Sequence, residues 1–290
     1  MPELPEVETI RRTLLPKLIG RTIINGTVLL PKLIQNIPVE EFLAQICGQK
    51  IITLDRRGKY LLFYLDNTLS PNFRSSSQPD DYHEGNLVLA IHLRMTGQLK
   101  VESSEILLEK ATYMQLTLDN GNELRYRDQR KFGRIMLFET SALPKSLERL
   151  GPEPLSDEFT IQDLKIQLGK RKIAIKKALL DQEVIAGIGN IYADESLFLA
   201  GVHPARLVSS LSEKEIAQLY RAIRSVLSQA IQNRGTTKRD YRDGDGKLGS
   251  NQDNLKVYDR NGLACYQCGN MIVKMKLGGR GTHFCPICQK

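Results

Sequence analysis

The chain has 290 residues, 41% hydrophobic and 26% charged, with no tryptophan. Its length gives room for about two domains with real cores, and its composition excludes a wholly disordered or collagen-like chain. The 41 basic and 33 acidic side chains leave a formal +8, carried mostly by the second half: residues 1–150 hold 20 and 18, residues 151–290 hold 21 and 15, an asymmetry that fits a polyanionic partner such as nucleic acid or an anionic membrane.

The start, MPELPEVETIRR, carries acids and prolines in place of a basic, then apolar, signal. With no run approaching the 18 apolar residues of a membrane span, it predicts an intracellular protein. Val7, Ile10, Leu14 and Leu15 stand near helical spacing, which predicts a helix over residues 6–15, with Pro5 suited to its first turn and Pro16 bending or ending it. RTIINGTVLL, KIITLDRRGKYLLFYLD, NLVLAIHLRMTGQLKV and ATYMQLTLDNGNELRYRDQRKFGRIMLFE then read as strands, the last with a hairpin turn at residues 119–122. Short strands with turn signals and no helical pattern between them predict an antiparallel sandwich or barrel. Residues 66–86 are polar and rich in Ser, Asn, Asp and Pro, which predicts a mobile loop inserted between two strands.

LPKSLERLGPEP, residues 143–154, reads as a linker, and the pattern beyond it is helical. One helix is expected over residues 192–200, closed by Gly201 and Pro204. A second starts at the capping box of Ser212 and Glu215 and carries Ile216, Leu219, Tyr220, Ile223, Val226, Leu227 and Ile231 on one face, ending near Gly235. Residues 234–254 are too polar and Gly-rich to pack alone and read as a flexible loop.

Cys265, Cys268, Cys285 and Cys288 form a C-x2-C-x16-C-x2-C array, the spacing of a closed four-thiolate zinc site in which the ion is structural; two unmetallated pairs are the alternative. His283 beside it reads as a surface residue. The arm between the pairs can fold as a hairpin carrying Lys274, Lys276 and Arg280, which suits a nucleic-acid groove but also describes a solvated charged loop. Gly187, Ile188, Gly189 and Asn190 precede a helix, so their N–H groups could meet a phosphate, with Lys170, Arg171, Lys172, Lys176 and Lys177 upstream. A G-x-G-N run equally describes a tight turn between helices.

Taken in order, PELPEVET (2–9), RRGKY (56–60), HLRMTG (92–97), RKFG (130–133), GIGNIYA (187–193) and the four-cysteine finger resemble bacterial formamidopyrimidine-DNA glycosylases over the whole chain. The resemblance implies an α+β multidomain fold: an N-terminal antiparallel β-sandwich over residues 1–142 with flanking helices, a linker over 143–154, a helix-two-turns-helix region over 155–254 with a lesion-covering loop near 236–249, and a zinc-finger β-hairpin over 255–290 with one structural Zn2+. It implies a base-excision repair glycosylase and abasic-site lyase that excises oxidised purines from double-stranded DNA and cleaves the strand by β,δ-elimination. Such a protein would act as a monomer in the bacterial cytoplasm, at the nucleoid.

By the same resemblance, Pro2 is the nucleophile once Met1 is removed, and Glu3 protonates the opening sugar ring with Glu6 in support, a role that calls for a desolvated carboxyl. Lys59 serves β-elimination and Arg280 δ-elimination, the latter more as a phosphate anchor than as a proton carrier. Because the damaged nucleotide must be extruded, Met95, Arg130 and Phe132 fill its vacancy, and His92, Arg130, Arg171, Lys176 and Asn190 contact the DNA. Two departures from the family pattern are the longer 66–86 insertion and arginine at position 171, where lysine is common. An endonuclease VIII-like enzyme acting on oxidised pyrimidines and a non-catalytic zinc-finger DNA-binding protein are the rival readings.

Overall fold

The structure, a computed structural model, describes residues 1–67 and 86–290. Most of the expected 66–86 insertion thus lies outside the described residues. The chain divides into two compact units: Met1–Pro2, Glu6–Glu148 and Thr237–Gly249 form one; Glu3–Pro5, Arg149–Thr236 and Ser250–Lys290 form the other.

In the first unit the elements run α1 (Leu4–Leu18), β1 (Ile23–Val28), α2 (Val39–Ile46), β2 (Gln49–Arg57), β3 (Tyr60–Asn67), β4 (Leu87–His92), β5 (Gly97–Ser103), β6 (Thr112–Leu118), β7 (Asn122–Asp128), β8 (Arg134–Glu139) and the single turn α3 (Lys145–Glu148). Two four-stranded antiparallel sheets result, ordered β1-β6-β7-β5 and β2-β3-β4-β8. Period-two patterning buries Thr112, Met114, Leu116 and Leu118 of β6, and the last three join one core with Leu61, Phe63 and Leu65 of β3. The expected antiparallel sandwich is present, and Gly121 at φ 79 makes its β6–β7 hairpin possible.

Helix α1 continues past Pro16, further than the sequence pattern indicates. Proline there removes one N–H near the helix end, a modest loss at that position. Carrying Leu18 into the core with Val7, Ile10 and Leu14 offsets it, since each buried side chain contributes roughly 1.5–3 kcal/mol. Gly20, at φ 75, then turns the chain out.

The second unit holds α4 (Ile161–Gly169), α5 (Ile175–Leu180), α6 (Asn190–Leu199) and α7 (Glu213–Gln232), then the hairpin of β9 (Val273–Leu277) and β10 (Arg280–Phe284). The Ser212–Glu215 capping box forms as expected, and α7 buries Ile216, Leu219, Ala222, Ile223, Leu227 and Ala230. Helix α6 is buried from Ile191 to Phe198, which no amphipathic stripe could have signalled. Among the described residues, no helix is long and apolar enough to cross a membrane.

Candidate active site

Glu3 is buried, and its carboxylate caps α6. It accepts from the backbone N–H groups of Gly189 (2.8 Å), Ile191 (3.0 Å) and Tyr192 (3.4 Å), while the N–H of Leu4 donates to the Gly187 carbonyl (3.0 Å). The two glycines exist for this approach. A Cβ at Gly189 would lie 2.3 Å from the Glu3 carboxyl carbon, and one at Gly187, where φ is +87, would lie 2.7 Å from the Leu4 side chain. The G-I-G-N run therefore receives the chain's own carboxylate, not a phosphate at the helix end. Desolvation is as expected of an acid at this position, and three N–H donors meet the carboxylate at the positive helix end. Pro2 is buried and bonded to this anchored residue.

Five of the candidate side chains sit on turns or strand ends of the sandwich. Lys59 is buried in the two-residue turn between β2 and β3, where Arg57 pairs with Tyr60 and Gly58 takes φ 56. His92, at the end of β4, is pushed down to about 3 by burial and then by the charges of Arg94, Lys59 and Arg134. Its Nδ1 accepts from the Arg94 N–H (3.0 Å), so a neutral ring keeps an Nε2–H donor. Met95 and Phe132 stay 38% and 51% exposed although large and apolar, and the Arg130 guanidinium lies 4.9 Å from the Phe132 ring centre. Backbone at positive φ flanks them, at Arg94 (55) and Lys131 (58). Glu6 is buried, and its carbonyl accepts from the Tyr241 hydroxyl (3.4 Å).

Sequence reasoning passed over the group that holds those turns. Asp128 is fully buried, and its carboxylate accepts from the Thr96 hydroxyl (2.5 Å), the Tyr126 hydroxyl (3.2 Å) and the N–H groups of Arg130 (3.1 Å), Phe132 (2.8 Å) and Gly133 (2.8 Å). The available signal was an acid placed just ahead of R-K-F-G.

Residues 237–249, expected to be a flexible stretch, are internally braced instead. Asp243 is buried and accepts from the N–H groups of Asp245 (2.9 Å) and Lys247 (3.0 Å), Lys17 pairs with Asp245 (2.7 Å), and the Gly244 N–H donates to Thr13 (3.0 Å). Polar bonds here substitute for the missing apolar residues.

In the second unit, Arg280 is exposed at the β9–β10 turn, where Gly278 (φ 57) and Gly279 (φ 77) give the double left-handed turn that hairpins favour. Lys176, expected at the DNA, has a fully buried ammonium here, paired with Asp194 (2.6 Å) and donating to the Gly281 carbonyl (3.1 Å) and Thr282 hydroxyl (2.8 Å), so it braces the hairpin. Asn190 donates to the same Gly281 carbonyl (3.0 Å). Arg171 is half-buried and lies against Asp181 (2.9 Å) and Glu183 (3.4 Å), which neutralise much of its charge. His283, expected at the surface, is buried, with its backbone N–H on Asp194 (2.9 Å), because both faces of β10 are covered over Thr282–Phe284.

The sulfurs of Cys265, Cys268, Cys285 and Cys288 all lie within 4.8 Å of one another, with Cys268 and Cys285 3.4 Å apart and Cys265 and Cys288 3.9 Å apart. Four sulfurs about 2.3 Å from a central ion would stand about 3.8 Å apart, so the cluster fits one tetrahedral zinc and is too wide for disulfides.

Residues 1–135 match the formamidopyrimidine-DNA glycosylase N-terminal domain, residues 150–241 the H2TH domain of the same glycosylases, and residues 262–290 the zinc finger found in FPG and IleRS. The chain belongs to the formamidopyrimidine-DNA glycosylase family. It is 47% identical to the formamidopyrimidine-DNA glycosylase of Pelotomaculum thermopropionicum, over 100% of this chain and 99% of the relative. With that of Herpetosiphon aurantiacus it shares 44%, over the full length of both. Among solved structures, Lactococcus lactis Fpg in complex with an abasic site containing DNA superposes with a TM-score of 0.87 at 36% identity, covering 99% of each chain. The FPG protein of Thermus thermophilus gives 0.84 at 39%, covering 99% of this chain and 98% of that one. As a formamidopyrimidine-DNA glycosylase, the chain is a base-excision repair enzyme with a closed structural zinc site.

Proposed function

We propose that this chain excises oxidised purines, 8-oxoguanine and formamidopyrimidines, from double-stranded DNA and then cleaves the strand by β,δ-elimination. The observation that carries the reading is Glu3, anchored on the α6 N-terminus and bonded to Pro2, which becomes an N-terminal secondary amine once Met1 is removed. An α-amino group titrates near about 7.7–8.0, so an appreciable neutral fraction exists at physiological pH without a special environment.

The neutral Pro2 nitrogen attacks the sugar C1′, and the purine departs with the glycosidic electron pair. The proton shed by the Pro2 nitrogen passes to the Glu3 carboxylate and from there to the ring oxygen, as the C1′–O4′ bond breaks to leave a cationic iminium. Glu3 thus works as a relay, taking the proton from Pro2 and handing it to the ring oxygen. The iminium acidifies the C2′–H; with Lys59 as the base, the 3′-phosphate leaves, and a second elimination with Arg280 anchoring phosphate releases the 5′-phosphate. Water then frees Pro2.

Extrusion of the damaged nucleotide costs a few kcal/mol. The exposed Met95 and Phe132 and the Arg130 guanidinium suit the vacancy: two apolar fillers and one donor for the widowed base. Neutral His92 and Asn190 serve as phosphate contacts, with Arg171 released from its carboxylates to join them. In this division of labour, residues 1–142 carry the sandwich and nucleophile, 155–254 the helical DNA-binding region with the covering loop near 236–249, and 255–290 the finger, in a monomer of the bacterial cytoplasm working at the nucleoid.

A panel of duplexes tests the substrate. Efficient excision of 8-oxoguanine with little release of thymine glycol is expected, and the reverse preference overturns the purine assignment. Replacing Cys268 with Ser removes one ligand of the finger, so DNA affinity falls about tenfold or more while the sandwich keeps its cooperative melting. Titration of labelled duplex and a thermal melt check this; unchanged affinity counts against the finger as a DNA-holding element.

A further inference from the structure

We infer that Asp128 is a positioning residue for base extrusion: its buried carboxylate locks the Met95 turn to the Arg130–Phe132 loop, so that the three filling side chains meet the duplex already in place. The inference rests on the reading of those three residues as the vacancy fillers. Its basis is the convergence of five donors from three segments on one side chain. Thr96 comes from the turn that carries Met95, Arg130, Phe132 and Gly133 from the loop that carries the other two, and Tyr126 from the floor of β7. Thr96 is shared, since its hydroxyl oxygen also accepts from the Arg130 N–H (3.1 Å).

A carboxylate is the one common side chain that offers acceptors alone, about four lone-pair sites on two oxygens. The space around it is filled with equal care. A Cβ at Gly133 would sit 1.6 Å from the Tyr126 hydroxyl, and one at Gly97 would sit 2.6 Å from it. The node therefore admits no substitute atoms, and it lies beneath side chains that are themselves exposed. Residues left in solvent with large apolar surface gain nothing from the core, so their placement depends on what holds their backbone. The left-handed conformations of Arg94 and Lys131 cost free energy that this network offsets.

The test is a substrate split. In Asp128→Asn the amide NH2 must face at least two N–H or O–H donors, which loosens the loop without touching Pro2, Glu3 or Lys59. Misplacement of about 1 Å can cost about 10²-fold in a preorganised site. We expect kcat/KM on a duplex with 8-oxoguanine opposite cytosine to fall by about that factor, and cleavage of a single-stranded oligonucleotide bearing an abasic site, which needs no extrusion, to fall at least about tenfold less. Thr96→Val, which removes one donor and keeps the shape, should show the same split at smaller size, and it decides the matter if Asp128→Asn has no cooperative melt. Equal losses on both substrates, or no loss on the duplex, overturn the inference. Phe132→Ala is the control for the underlying reading: if it shows no split, the vacancy-filling role falls; if it shows one and the Asp128 and Thr96 variants do not, only the positioning role falls.

Discussion

Pro2→Gly is expected to lower cleavage of an 8-oxoguanine duplex by about 10²-fold or more and to weaken the covalent adduct trapped by borohydride. Proline condenses to an iminium with no N–H to lose, so the cation that draws electrons from the C2′–H bond persists through both eliminations. Glycine supplies a primary amine whose imine can shed its proton and with it the electron sink. It also loses the buried pyrrolidine ring next to the anchored Glu3. Gel separation of reduced reaction mixtures reads the adduct directly. Adduct formation by Pro2→Gly at the parent rate would make proline's secondary amine dispensable, and an active preparation whose mass retains Met1 would remove the amine from the mechanism.

Glu3→Gln is expected to reduce base excision by about 10²–10⁴-fold, the range of a lost general acid–base group. The amide cannot relay the proton from Pro2 to the ring oxygen. Its NH2 must also turn toward N–H donors at Gly189, Ile191 or Tyr192, leaving one or two of them unsatisfied at roughly 1–3 kcal/mol each. A lower melting temperature should therefore accompany the kinetic loss. Cleavage of a preformed abasic site suffers less, because that sugar reaches its open aldehyde form without enzyme. Parallel assays on the two substrates separate the effects, and excision at the parent rate by Glu3→Gln would dismiss the relay.

Much of the site could be read one residue type at a time. The spacing of Cys265, Cys268, Cys285 and Cys288 was enough for zinc, because two tight turns fix where four sulfurs can go, and the sulfurs do lie within 4.8 Å. The Ser212 and Glu215 cap and the turn at Gly121 were legible because each is decided within four residues. Where partners come from far away, local reading failed. Lys176 looked like one more cation in a basic run, yet it is buried against Asp194, 18 positions on, and against the carbonyl of Gly281. Nothing in K-R-K-I-A-I-K-K distinguishes a lysine destined for the interior from its solvated neighbours. The stretch 234–254 misled in the opposite sense: low apolar content signalled mobility, whereas bonds to the buried Asp243, with others to Lys17 and Thr13, brace residues 237–249.

From the sequence alone follow the two-domain length, the strand and helix classes, the metal-ligand set and, through its ordered motifs, the enzyme family; all are properties of short windows or of their order. Tertiary structure alone decided that the G-I-G-N turn receives Glu3, that Lys176 is a brace, and that Asp128 governs the exposed loop. Those outcomes depend on which distant donors a buried charge meets, and a buried charge takes whatever partners the closed chain brings within about 3 Å.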